Sequence, residues 1–164
     1  SYGFDGLSLD VEPHSAPGWH SGGRNELIRK YLSLLKEVRA TLKGATRLDA
    51  AVPCNYAGIP VPGSSADLMK EISGQVDSLT LMAYRDSWRK VVERALPVLQ
   101  RKDLACGFRV AVETQPVDEE GVSFFGMDRK EFRAALLECA KRFSENENFC
   151  GMVIHDDAGF QLMR

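Results

Sequence analysis

The feature that most constrains the fold is a regular alternation. Five short apolar runs are separated by four segments of helical character, and polar or acidic residues gather at the ends of the runs. The runs are Gly6 to Val11, Arg47 to Pro53, Ser78 to Tyr84, Ala105 to Glu113 and Cys150 to His155. Strand and helix periods that alternate in this way predict crossover units and a parallel sheet. Runs this apolar are expected where both sheet faces are covered. The helices are predicted over Asn25 to Lys43, Ser65 to Ser73, Trp88 to Arg101 and Asp128 to Ser144. In the first of these, Leu27, Ile28, Tyr31, Leu32, Leu35, Val38 and Leu42 recur at the helical period and form one stripe, and Gly44 is the expected stop. Ser64 or Ser65 is the expected cap of the second helix, Pro97 a kink or break in the third, and Asp128 with Glu131 a capping box for the fourth. No internal repeat or low-complexity tract interrupts the pattern.

The expected fold class is therefore α/β, five parallel strands alternating with helices, in one domain over residues 1–164. An apolar share of 44% supports a packed core at that length. A net charge of −2 gives no basic field for nucleic acid or an anionic membrane. No apolar run approaches the ~20 residues of a membrane span. The four cysteines, Cys54, Cys106, Cys139 and Cys150, form no CxxC pair and no zinc-type spacing. Buried thiols are the simplest reading, disulfides stay open, and the compartment is not fixed.

Polar residues gather at the C-terminal ends of the strands: Asp10 and Glu12, Asn55, Tyr84 and Asp86, Glu113, then His155 to Asp157. Active sites of parallel α/β folds occupy that edge. In an extended strand Ser8, Asp10 and Glu12 share one face and Leu7, Leu9 and Val11 the other. Paired carboxylates perform acid–base chemistry, because one charge raises the proton affinity of its neighbour.

The segment Asp5-Gly6-Leu7-Ser8-Leu9-Asp10-Val11-Glu12 resembles the DGxDxDxE signature of family 18 glycoside hydrolases, the chitinase-like barrels. Asp5, Gly6, Asp10 and Glu12 match it, and Ser8 replaces the first Asp of the DxDxE core. Met82-Ala83-Tyr84 resembles the family's Met-x-Tyr on the sixth strand. Gly151 to Asp157 resembles the eighth strand, with His155 where the family usually has Trp.

The resemblance implies that the chain carries strands four to eight of a (β/α)8 barrel, a partial TIM barrel, since a full barrel takes ~250 residues. An open five-stranded α/β sheet is the alternative. A homodimer or a missing N-terminal barrel segment would cover the open edges.

In the resembled family, the Glu matching Glu12 protonates the leaving oxygen, and the substrate's acetamido group acts as nucleophile. The Asp matching Asp10 orients that group, and Tyr84 corresponds to a hydroxyl donor near it. Met82, Asn55, Glu113 and His155 are expected to line a cleft for a carbohydrate substrate. Glu113 offers a second mechanism, since other retaining barrels place a nucleophilic carboxylate on strand seven. Ser8 and His155 favour a third reading, a carbohydrate-binding barrel without catalysis.

No cofactor or metal is implied by the resemblance. A metal-dependent hydrolase would draw on His14, His155, Asp156 and Asp157 with Asp10 and Glu12, yet no HxH or HxxxH spacing supports it. Asp5 is expected to form turn or interstrand hydrogen bonds, and a buried ion pair of Asp10 and Glu12 with Arg109 is the structural alternative to their catalytic role. Arg85 and Asp86 are expected to pair at the rim. Trp19 and Trp88 are candidates either for sugar stacking or for packing.

Overall fold

A computed structural model describes residues 3–42 and 46–164. Five parallel strands alternate with helices, an α/β fold. The sheet order is β1-β2-β3-β4-β5, and the barrel is not closed. The strands are β1 (Gly6–Leu9), β2 (Arg47–Pro53), β3 (Ser78–Met82), β4 (Gly107–Glu113) and β5 (Phe149–His155). The helices are α1 (Arg24–Thr41), α2 (Leu68–Ser73), α3 (Trp88–Leu99), α4 (Arg129–Phe143) and α5 (Asp157–Leu162). The described residues fall into two compact units, one of residues 1–79 with 102–106, the other of residues 80–101 with 107–164.

In the first unit, β1 pairs with β2 in parallel, with Ser8 opposite Asp49. Leu48, Ala50 and Val52 on one face of β2 are fully buried. Ile28, Tyr31 and Leu35 form the buried stripe of α1; Leu27, Leu32, Val38 and Leu42 are only half-buried. The expected stop at Gly44 lies outside the described residues. β1 is shorter than its apolar run, and Leu7 is exposed. Glu12 already precedes a 3-10 turn over Pro13–Ser15, because the fixed φ of proline suits a first helical position and ends the extended stretch. The strand parity therefore does not reach Glu12.

Helix α2 starts later than expected. Asp67, not Ser64 or Ser65, caps it: one carboxylate oxygen accepts from Lys70 N at 2.9 Å and the other from Gly58 N at 2.9 Å. A carboxylate that satisfies two amides outcompetes a serine hydroxyl. The Ser64 hydroxyl instead bonds Glu71.

In the second unit, β4 pairs with β5 in parallel, and Glu113 lies opposite His155. Phe108, Val110 and Val112 are fully buried on one face of β4. Val91, Ala95 and Val98 of α3, with Phe132, Cys139 and Phe143 of α4, complete a buried helical layer. Each of the buried Val and Phe side chains contributes ~1.5–3 kcal/mol when removed from water. Phe124 meets Phe132 edge-on at 5.3 Å.

Pro97 does not break α3. It sits in the last turn, where its missing N–H costs only one carbonyl its donor. Asp128 caps α4 by accepting from Lys130 N and Glu131 N. β5 is exposed at Ile154 and His155, unlike the doubly covered strand its composition suggests. An edge strand has one strand neighbour and is correspondingly less covered. Cys54, Cys106 and Cys139 are buried free thiols, whereas Cys150 is exposed on β5.

Candidate active site

Within the first unit, the acidic residues beyond β1 stand in the open. Asp10 and Glu12 are both exposed. The Glu12 carboxylate accepts from the Ser15 hydroxyl at 2.9 Å, a bond made possible by the 3-10 turn that begins at Pro13. One hydroxyl partner fixes the rotamer and leaves lone pairs available for proton transfer.

Beside this turn lies an aromatic cluster. Trp19, only 5% exposed, stacks on Tyr56 at 5.9 Å and 25°, and His14 meets Tyr56 edge-on at 5.7 Å. His14 Nδ1 and the Tyr56 hydroxyl are hydrogen-bonded at 2.9 Å. Trp19 is thus a packing residue rather than a sugar platform, because its faces are spent on Tyr56 and on Arg24, whose guanidinium lies 5.4 Å from the ring centroid. Burial pushes the phenols of Tyr56 and Tyr31 well above the usual tyrosine range. For Tyr31 the charges of Asp10 and Asp49 add to the effect. The Tyr31 hydroxyl is buried without a hydrogen-bond partner. Asn55 sits exposed in the 3-10 turn Cys54–Tyr56 that follows β2.

A residue that the sequence reading passed over stands at the centre of this unit. Asp49, 7% exposed in the middle of β2, accepts from Ser8 at 2.8 Å and from Ser78 at 2.6 Å. Its signal was an acid inside the run Leu48-Asp49-Ala50-Ala51-Val52, where an unpaired charge is costly. Asp5 contributes its backbone carbonyl to Arg47 N at 3.0 Å, in keeping with the interstrand role expected of it.

The second unit holds a different constellation. Glu113, at the end of β4, is only 6% exposed. One carboxylate oxygen accepts from Thr114 N at 2.8 Å and from Gln115 N at 2.7 Å, and the other meets His155 Nδ1 at 2.9 Å. Tyr84 stacks on the His155 ring at 5.7 Å and 22°. The His155 side chain remains 45% exposed. Its imidazole is thus a ring held from one edge by a carboxylate and on one face by a phenol. The His155–Asp156 peptide is cis.

Asp156 caps α5 through Gly159 N at 2.7 Å and accepts from Gln115 at 2.9 Å, and these bonds hold its carboxyl below the usual carboxylate range. Helix α5 itself was not expected from the sequence. Met82 is buried at the end of β3.

Several expected partners differ. Asp86 pairs with Lys90 at 2.8 Å, one helical turn on, while Arg85 donates to the Tyr84 carbonyl. The shorter reach along α3 wins over a neighbour on an extended backbone. Trp88 is half-buried at the start of α3, with the Arg89 guanidinium 4.6 Å from its ring centroid. His14, His155 and Asp156 are each hydrogen-bonded to side chains or backbone rather than merely solvated. Among the described residues, no group of three or more His, Cys, Asp or Glu is placed to hold a metal ion.

Residues 1–121 of the 164 match the family model described as Glycosyl hydrolases family 18. Asp10, Glu12, Asn55, Met82, Tyr84 and Glu113 lie within that span and His155 beyond it. No curated protein and no solved structure matches the chain.

Proposed function

The chain belongs to glycosyl hydrolase family 18, and from that premise we propose that it cleaves a polysaccharide or amino-sugar glycan by carboxylate acid–base catalysis. Glu12 is the general acid that protonates the glycosidic oxygen. Asp10 is its electrostatic partner and orients the substrate's acetamido group, which attacks the anomeric carbon. Asn55 is the proposed sugar contact in the same unit, and Tyr84, Met82, Glu113 and His155 are the proposed carbohydrate contacts of the second unit.

The observation that carries the reading is the Asp5-Gly6…Asp10…Glu12 pattern at the C-terminal end of a parallel strand, the edge at which such folds act. Glu12 is exposed and committed to a single hydroxyl, which suits a group that must exchange protons with a substrate. The saturation of Glu113 by two amides and an imidazole favours substrate-assisted attack over Glu113 as nucleophile.

A second reading, carbohydrate binding without cleavage, draws on Ser8 at an acidic position of the signature. A panel of N-acetylglucosamine and neutral glucan oligosaccharides separates the two. Cleavage of the amino-sugar members supports the proposal. Binding without product selects the non-catalytic reading, and neither binding nor cleavage refutes both.

A further inference from the structure

The signature places acids at positions 8, 10 and 12 of this chain, and position 8 holds serine. The register of β1 against β2 sets Asp49 directly opposite Ser8. The Ser8 hydroxyl donates to one Asp49 oxygen at 2.8 Å, and the Ser78 hydroxyl donates to the other at 2.6 Å. We infer that Asp49 is the carboxylate that position 8 lacks, moved across the strand pair from β1 to the facing position on β2, where it acts as a positioning residue for Asp10 and Glu12. This inference rests on the proposed roles of those two residues.

Three observations carry it. Asp49 is 93% hidden from solvent in a strand whose neighbours Leu48 and Ala50 are fully buried. A buried acid is a poor structural choice, because a neutral residue of similar size avoids its desolvation cost. Two hydroxyl donors on separate strands pin both oxygens, so the carboxylate has one orientation. Finally, the residue that holds Asp49 from β1 is Ser8, which precedes Asp10 by two positions in the chain.

The chemistry follows from charge. The carboxylate held opposite Ser8 supplies, from β2, the negative charge that an acid at position 8 would carry on β1. The other ionisable groups gathered in this part of the unit are Glu12, His14, Tyr31 and Tyr56. Asp49 touches no substrate in this account. It sets the proton balance for residues that do.

The test is a charge swap, read by hydrolysis of an N-acetylglucosamine oligosaccharide. Asp49→Asn should lower kcat at least tenfold with KM within threefold, and should move the acidic limb of the pH–rate profile to lower pH. Asp49→Ser should be similarly impaired. Returning the acid to β1, as Ser8→Asp with Asp49→Ser, should recover kcat to within threefold of the wild type. A folded double variant as slow as Asp49→Ser overturns the inference, as does full activity in Asp49→Asn. If Asp49→Asn does not fold, the double variant still decides. Glu12→Gln, run alongside, separates the two levels. Loss of turnover there with no effect of Asp49→Asn refutes the inference alone. Unchanged turnover in Glu12→Gln, or none in the wild type, refutes the parent reading and the inference with it.

Discussion

Glu113 offers the sharpest quantitative prediction. Its carboxylate accepts two backbone amides, from Thr114 and Gln115, and meets His155 Nδ1, all while almost fully buried. Glu113→Ala removes the acceptor of the Gln115 amide, whereas the Thr114 amide keeps its bond to the His155 carbonyl. Hydrogen bonds to a charged group are worth about 1.5–3 kcal/mol each, and an orphaned buried donor costs a similar amount. The loop after β4 can relax toward solvent and recover part of this. The expected loss is therefore about 2–3 kcal/mol. With a urea dependence of ~2 kcal/mol per molar, the midpoint should fall by about 1–1.5 M. Glu113→Gln keeps one acceptor oxygen and should lose only about 1–2 kcal/mol. Equilibrium urea unfolding of the three proteins measures this directly. An alanine variant within 0.5 kcal/mol of the wild type would refute the anchoring role. The same variant examines the alternative mechanism. Azide should not restore cleavage to Glu113→Ala, and a glycosyl azide product would identify Glu113 as the nucleophile instead.

Other consequences are independent of catalysis. A Cβ on Gly159 would clash with both the oxygen and the carbon of the Thr114 carbonyl. Since both are backbone atoms, Gly159→Ala should displace α5 and lower thermal stability by several degrees, while wild-type-like melting would show that α5 is not seated there. Asp77 accepts from Leu48 N and from Arg39, each at 2.7 Å, and these bonds hold its carboxyl below its ordinary value of 3.8. A depressed folded value means that its contribution is present above pH 3.8 and is lost as pH falls through the lower folded value. Asp77→Asn should therefore lower stability at pH 6 by about 1 kcal/mol or less, because both partners are partly exposed, and the gap should close toward pH 2. An equal gap at both pH values would contradict this. Burial pushes the Cys139 thiol up to about 12, and Cys54 and Cys106 are also buried. Native protein should accordingly take up iodoacetamide at exposed Cys150 alone, and rapid labelling of all four thiols would refute the packing described for the other three.

Much of the architecture was legible because hydrophobic period and punctuation agreed. β2 has the expected bounds, since the apolar run Leu48 to Val52 ends on Pro53. Misreadings arose where a local hydrogen bond overrode the pattern. Asp67 captured both an α2 amide and Gly58, which moved the helix start three residues on. Pro13 began a 3-10 turn and shortened β1, so Glu12 took its place from the turn instead of from strand parity. Helix α5 escaped notice because Asp156 reads as the polar end of a strand until its cap on Gly159 is seen.

Legibility of the candidate site divides in the same way. The acids of the first motif and Tyr84 are visible as residue types at strand ends. The carboxylate opposite Ser8 depends on interstrand register, which composition and period alone do not specify. Trp19 stayed open to stacking or packing because the residues that fill its faces, Tyr56 and Arg24, are brought to it by the fold and not by the period.

The central claim is that Glu12 gives up a proton to a glycosidic oxygen. The direct measurement is turnover of one N-acetylglucosamine oligosaccharide by wild type and Glu12→Gln, with folding verified by circular dichroism. General acid catalysis contributes about 10²–10⁴-fold, so the variant should retain at most one part in a hundred of the activity and should still bind the sugar. Hydrolysis by the variant within twofold of the wild type would contradict the account.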